Sequence, residues 1–188
     1  MRRTENGKLD SMFIERWSPR ALSSESIAEE DIHTLFEAAR WSPSCYNEQP
    51  WRFVYAHRDE DIKQFRSVLV EANQVWANNA PLLIFVFAKK NFSANDKPNR
   101  WSEFDTGAAW MSLALQAHQL GLYTHAMGGF DSNKAYEVTA MDASEYDVLC
   151  AVAVGKLGAS DMLPEGLKDR EIKSDRKLIN EIAFEVAS

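Results

Sequence analysis

The chain has 188 residues, 45% of them hydrophobic and 26% charged, with a formal net charge of −7. A chain of this size suits one domain with a sizeable core; its apolar residues are spread along its length, which argues against disorder. The acidic balance counts against a nucleic-acid partner, which normally calls for a basic surface. The start, MRRTENGKLDS, has no apolar stretch of the kind an export signal needs. The longest apolar run, Pro81 to Ala88, falls far short of the roughly 20 residues that span a bilayer. The 2 cysteines, Cys45 and Cys150, have neither metal-ligand nor CxxC spacing. A cytoplasmic protein with reduced thiols and no membrane partner is expected.

Along the chain, residues 1–11 read as a flexible arm and residues 12–188 as a single domain. Met12 to Ala21 contains Pro19, so at least its second half should be extended or a turn. From Ala28 to Trp41, Ile32, Leu35, Phe36 and Ala39 recur at helical spacing, with Glu29, Glu30 and Asp31 where the helix dipole favours them. A Pro-punctuated loop, Ser42 to Pro50, leads into an aromatic-rich strand, Trp51 to Ala56. Asp59 to about Asn79 reads as one helix, with Ile62, Phe65, Leu69 and Trp76 inward, and Pro81 to Ala88 as a buried strand. Lys89 to Arg100 is hydrophilic and reads as a mobile loop. Asp105 to Leu120 is apolar on nearly every face, which predicts a helix buried centrally or between subunits, stopped by Gly121. A short strand then precedes Gly128-Gly129, followed by a helix over Ser132 to Met141 and a strand over Tyr146 to Val154. The tail is polar except for Leu178, Ile179, Ile182, Phe184 and Val186. Without a clean βαβ alternation, the order predicts an α+β fold.

Four segments are candidates for chemistry. In an extended Arg16-Trp17-Ser18-Pro19-Arg20, positions i, i+2 and i+4 share a face, so two guanidiniums and a hydroxyl would meet a phosphate dianion. Two ordinary surface arginines are the alternative. The loop Ser42-Pro43-Ser44-Cys45-Tyr46-Asn47-Glu48-Gln49-Pro50-Trp51 is stiffened by its prolines and offers polar groups to a planar heteroaromatic ligand, although turn chemistry also explains its composition. Cys45 as a nucleophile finds no neighbouring basic residue to activate it. In Ala126-Met127-Gly128-Gly129-Phe130-Asp131 the glycines permit close backbone approach to a ligand, or simply make a turn; the spacing is not a Rossmann fingerprint. Lys173-Ser174-Asp175-Arg176-Lys177 is a basic cluster that a solvated face would also explain.

Taken in order, RWSPR, WSPSCYNEQPWRF, ANQVWANNAPLLIFVFA, DTGAAWMSLALQAHQLGLYTHAMGGFD and DRKLINEIAFE resemble the nitroreductase family, and its short bacterial members in particular. The resemblance runs from about Phe13 to Glu185, with PSxxNxQPW and GGFD as its more specific pieces. It implies an α+β fold with a central, mostly antiparallel sheet flanked by helices, in an intertwined homodimer with FMN at the subunit interface.

By the same resemblance, Arg16, Trp17, Ser18 and Arg20 belong to the cofactor site, the arginines and serine at the phosphate or ribityl end, joined by Arg176 and Lys177. Ser44, Cys45 and Asn47 would reach the flavin of the partner subunit, and Asn73 the pyrimidine edge. Gly128 would present its backbone N–H towards flavin N5, flanked by Met127 and Gly129. The helix from Asp105 would form the dimer core, and the apolar tail would embrace the partner. No Ser-His-Asp set, distinct carboxylate pair or metal cluster stands out, with 4 histidines in all, so the cofactor carries the chemistry. The implied reaction moves hydride from NAD(P)H through FMN to a small acceptor such as a nitroaromatic or quinone, with ping-pong kinetics. Phe92, Trp101 and Phe104 are candidates to roof the pocket. A different flavin reaction on the fold, such as dehalogenation or flavin fragmentation, a flavin carrier or sensor, and a structural dimer with a degenerate pocket are the alternatives. Three departures from the family's pattern stand out. Glu71 to Ala80 holds no lysine, Ser174 stands where the family's C-terminal motif carries a basic residue, and Cys45 replaces a small hydroxylic residue.

Overall fold

A strand that is apolar at every position needs cover on both faces, and the computed structural model shows how the chain supplies it. The model describes residues 8–186; residues 1–7 of the arm expected over 1–11, and residues 187–188, lie outside the described residues. The strands are β1 (Trp51–Ala56), β2 (Leu82–Lys89), β3 (Leu122–Met127) and β4 (Tyr146–Lys156). They form a four-stranded sheet in the order β1-β2-β4-β3, with every pairing antiparallel. Leu83, Phe85 and Phe87 of β2 face one way, packed with Phe65, Val68, Ala151 and Ala153. The alternate residues Leu82, Ile84 and Val86 face the other way, packed with Ile32, Leu35, Leu113 and Val152. The pleat's period of two thus divides one hydrophobic strand between two cores.

The helices are α1 (Met12–Glu15), α2 (Glu29–Arg40), α3 (Asp59–Val68), α4 (Glu71–Ala77), α5 (Ser102–Gln119), α6 (Ser132–Thr139) and α7 (Glu165–Lys168). α2 and α5 cover one face of the sheet, and α3, α4 and α6 the other. No helix is long and apolar enough to cross a membrane among the described residues. α5 begins at Ser102, three residues before the expected start at Asp105. Local hydrogen bonds explain this: the Asn99 side-chain oxygen accepts the Trp101 N–H at 3.1 Å, and the Ser102 hydroxyl donates to the Lys89 carbonyl at 2.6 Å. Its end is as expected, with Gly121 in the left-handed region at φ 72°.

α5 buries Ala109, Leu113 and Ala117 against the sheet, while Phe104 and Met111 stay exposed and Trp110 and Leu115 half-exposed. The C-terminal apolar residues Leu178, Ile179, Ile182, Phe184 and Val186 are likewise exposed, Phe184 to 80%. Among the described residues, nothing covers either set. The 89–100 segment folds back on itself, with an Asn91–Pro98 bridge and hydrogen bonds from Phe92 N to Lys97 O (2.9 Å) and Asp96 N to Phe92 O (2.9 Å).

The single helix expected from Asp59 to about Asn79 is two helices. Leu69 and Val70 are extended, with ψ values of 147° and 152°. Tertiary pairing causes the break: Val70 N–H donates to the Gly129 carbonyl and Asp131 N–H to the Val68 carbonyl, with a bridge between Leu69 and Phe130. A three-residue ribbon therefore ties the α3–α4 junction to the glycine turn. Its closeness depends on Gly129, where an added Cβ would stand 2.7 Å from Asn73 Nδ2 and 2.8 Å from Val70 Cγ2. Gly129→Ala is expected to destabilise the protein by about 1–3 kcal/mol, as overpacking does. Chemical denaturation at fixed protein concentration measures this; an unchanged midpoint would show that the ribbon accommodates a methyl group.

Candidate functional site

From Arg16 the chain leaves helix α1 and runs without regular structure to a bridge between Leu22 and Leu157. Arg16, Trp17, Ser18 and Arg20 are all half-buried. Trp17 lies edge-on to Tyr123 of β3, with ring centroids 6.5 Å apart, so its indole seats the segment on the sheet. The Pro19 carbonyl accepts from His125 Nδ1 at 3.0 Å; a carbonyl only accepts, so Nδ1 carries the proton. His125 also packs on buried Trp76 at 4.6 Å. At the end of the segment the Glu171 carboxylate accepts the Arg20 N–H (2.8 and 3.1 Å) and the Ala21 N–H (2.8 Å).

That carboxylate is what draws the C-terminal stretch to the arginine segment. Arg176, five residues further on, is exposed, its guanidinium turned onto the Ser174 carbonyl (3.2 Å), the Ser174 hydroxyl (3.0 Å) and the Asp175 carbonyl (3.0 Å). Lys177 is exposed beside it. Neither His125 nor Glu171 was a candidate from the sequence. A histidine inside a strand and an acid in a polar tail carry no local signature, and each acts on backbone more than 100 residues away.

β3, which meets this segment at Tyr123 and His125, ends at Met127 and runs into the Gly128-Gly129 turn. The Met127 side chain is buried in the core, so only its backbone is available at the turn. Asn73 of α4 donates from Nδ2 to the Gly129 carbonyl at 2.9 Å, which joins two of the expected site residues. Its carbonyl oxygen and second N–H remain for another partner. Gly128 is exposed, has no positive φ, and an added Cβ there meets nothing within 4 Å. The fold itself thus leaves open space in front of Gly128.

The loop before β1 is built differently. Tyr46, Asn47 and Gln49 all adopt left-handed backbone, with φ of 52°, 56° and 50°, in a stretch that contains no glycine. Such residues persist only where their surroundings hold them. The Cys45 N–H donates to Asp105 Oδ2 at 2.9 Å, the Gln49 N–H to Ser44 Oγ at 3.0 Å, and Ser42 Oγ lies 2.7 Å from Ser112 Oγ. Glu48 accepts from Ser93 N (2.8 Å) and Ser93 Oγ (2.6 Å), which holds its carboxyl below the usual range. Ser44 and Cys45 are half-buried and Asn47 is exposed. Tyr46 meets Phe92 edge-on at 6.0 Å, while Phe104 is exposed and Trp101 carries the Arg100 guanidinium 4.5 Å above its ring. The other thiol, Cys150, is pushed up to about 11 by burial, so it stays protonated at neutral pH.

Within one chain the structure gathers the arginine segment, the glycine turn and Asn73 around the β3 edge. It does not bring Ser44, Cys45 and Asn47 to them. Their loop enters β1 at the opposite edge of the sheet, three strand spacings or roughly 14 Å away.

This fold is that of a known class. The family model described as "Nitroreductase family" matches residues 14–75 and 63–156. The chain belongs to the nitroreductase family. The crystal structure of an oxidoreductase containing FMN superposes with a TM-score of 0.92 at 41% identity, covering 97% of this chain and 94% of that one. A Staphylococcus haemolyticus protein with the provisional name NAD(P)H nitroreductase is 26% identical over 155 residues, 62% of this chain and 71% of its own. An oxygen-insensitive NADPH nitroreductase of Helicobacter acinonychis is 25% identical over 165 residues, 69% of this chain and 78% of its own.

The His125 contact generates a pH dependence. Burial lowers its pKa below 6.5, and the Arg20 charge lowers it further; the Pro19 carbonyl, the Glu171 charge and the Ser18 carbonyl oppose this. As pH falls through 6.5, the unfolded chain takes up a proton that the folded imidazole refuses. Stability from this group is therefore complete above 6.5 and is lost as pH falls towards the folded value. His125→Gln is expected to flatten that part of the profile of unfolding midpoint against pH. An unaltered slope on either side of 6.5 would assign it to other groups.

Proposed function

We propose that this protein is an FMN-dependent oxidoreductase that uses NAD(P)H, with residues 12–188 acting as one FMN-binding unit in the cytoplasm. A bound FMN would supply hydride transfer between NAD(P)H and a nitroaromatic, quinone or similar small acceptor, with ping-pong kinetics. The observation that carries this reading is the contrast between two adjacent glycines. Gly129 is sealed by Asn73 and Val70, whereas Gly128 faces open space with an ordinary backbone. Nothing in the packing of the described residues needs a glycine at 128, and a flat ligand lying against its N–H does.

In this reading Arg16, Ser18 and Arg20 hold the phosphate, with Trp17 seating the segment and Arg176 and Lys177 closing from the tail. Guanidinium forks match a phosphate dianion with charge-assisted hydrogen bonds. Asn73 serves the pyrimidine edge with the polar groups left free of Gly129, and the Met127–Gly129 backbone flanks the ring. Ser44, Cys45 and Asn47 serve the cofactor of a second copy, since their loop stands at the far edge of the sheet. The uncovered face of α5 and the exposed tail from Leu178 to Val186 supply the apolar surface for such a homodimer. Phe92 meets Tyr46 of the loop, Trp101 and Phe104 start the helix that carries Asp105, and the three shape the acceptor end.

Purified protein is expected to be yellow and to bleach anaerobically with NADH or NADPH; flavin that stays oxidised with both would overturn the reductase reading. The double substitution Arg16→Ala and Arg20→Ala is expected to weaken FMN binding at least about a hundredfold, through the lost charge-assisted contacts. Flavin fluorescence titration measures this, and wild-type affinity would remove the phosphate site from these arginines.

A further inference from the structure

The loop over 44–49 has an unusual way of keeping its shape. With left-handed backbone at Tyr46, Asn47 and Gln49, it has no glycine to ease the strain. Two carboxylates grip it. Glu48 reaches outward to Ser93. Asp105, in the first turn of α5 and only 5% exposed, reaches the loop's backbone from inside at Cys45. Asp105 lies 60 residues from Cys45 in sequence, on the helix whose other face is uncovered, so one helix ties the loop to the proposed subunit contact.

We infer that Asp105 is a positioning residue that acts in trans: its buried carboxylate fixes the Cys45 N–H and so presets Ser44, Cys45 and Asn47 for the flavin of the partner subunit. The inference rests on the proposed function. Asp105 touches no reacting atom; its effect passes through one backbone hydrogen bond to a loop whose left-handed residues otherwise relax. A relaxed loop withdraws its polar groups from the ring, and FMN binding weakens without any change in the arginine segment.

Asp105→Ala is expected to weaken FMN binding about tenfold, the scale of one lost buried hydrogen bond to a charged group. Asp105→Asn keeps an oxygen acceptor and should recover most of that loss. If the unfolding midpoint shows that Ala loosens the fold, Asp105→Leu, close in volume and without an acceptor, replaces it. The decisive sample is a mixed dimer, co-expressed under two tags, of a D105A chain with a chain carrying Arg16→Ala and Arg20→Ala. One of its sites combines both defects; the other joins an intact arginine segment to an intact loop. It should bind one FMN per dimer at wild-type affinity, which neither parent homodimer does.

Wild-type affinity in the D105A and D105L homodimers would overturn the inference. So would a mixed dimer with no wild-type site, which places the effect within the same chain. Failure of Asn to recover binding would assign the effect to charge and overturn the hydrogen-bond role. Failure of the underlying reading looks different: the wild-type protein does not take up FMN, or the arginine double variant binds it normally.

Discussion

The double burial of β2 and β4 is the constraint from which the rest of this structure follows. Both are central strands, flanked by β1 on one side and β3 on the other, and their apolar residues are shared between two cores. Helices must therefore lie on both faces, and each edge strand must hand the chain on at the sheet's margin. The polar site elements sit at those handovers. β3 ends in the glycine turn and β1 begins after the strained loop, so the two halves of the candidate site are held apart by the hydrophobic pairing between them. That separation is the reason the proposed function calls on two copies of the chain.

Carboxylates turned onto backbone do most of the positioning. Glu171 holds Arg20 and Ala21, Asp105 holds Cys45, and Glu48 holds Ser93. In a chain with net charge −7, this use turns some of the acids into ties on the backbone. A carboxylate that accepts backbone N–H groups adds rigidity, and its charge is partly satisfied by those donors. The same ties reach across the sequence, from residue 171 to residue 20 and from residue 105 to residue 45, so the site forms only as the whole domain folds.

The α3–α4 break shows how tertiary pairing overrides a local preference. Residues 59 to 77 carry helical periodicity throughout, yet Leu69 and Val70 give up helical backbone to pair with Gly129 to Asp131. The hydrogen bonds lost from one helix are made again across the ribbon, and the exchange brings Asn73 against the glycine turn. The placement of Asn73 is thus bound up with a fold detail that periodicity, summed over that stretch, points away from.

By itself the sequence determined the pieces whose physics is local. α2 follows from its apolar spacing, β1 matches the aromatic run from Trp51 to Ala56, and Gly121 ends α5 in the left-handed region that glycine favours. It also determined the ordered motifs that mark the family, including the arginines, the PSxxNxQPW loop and the glycine pair. Only the tertiary structure decided where α3 stops, why Met127 offers backbone alone, and which groups hold the motifs in place. The reason is distance along the chain. Periodicity and turn preference act over a few residues, whereas His125, Glu171 and Asp105 act on partners 60 to 151 residues away, and no pattern in a short window records such a bond.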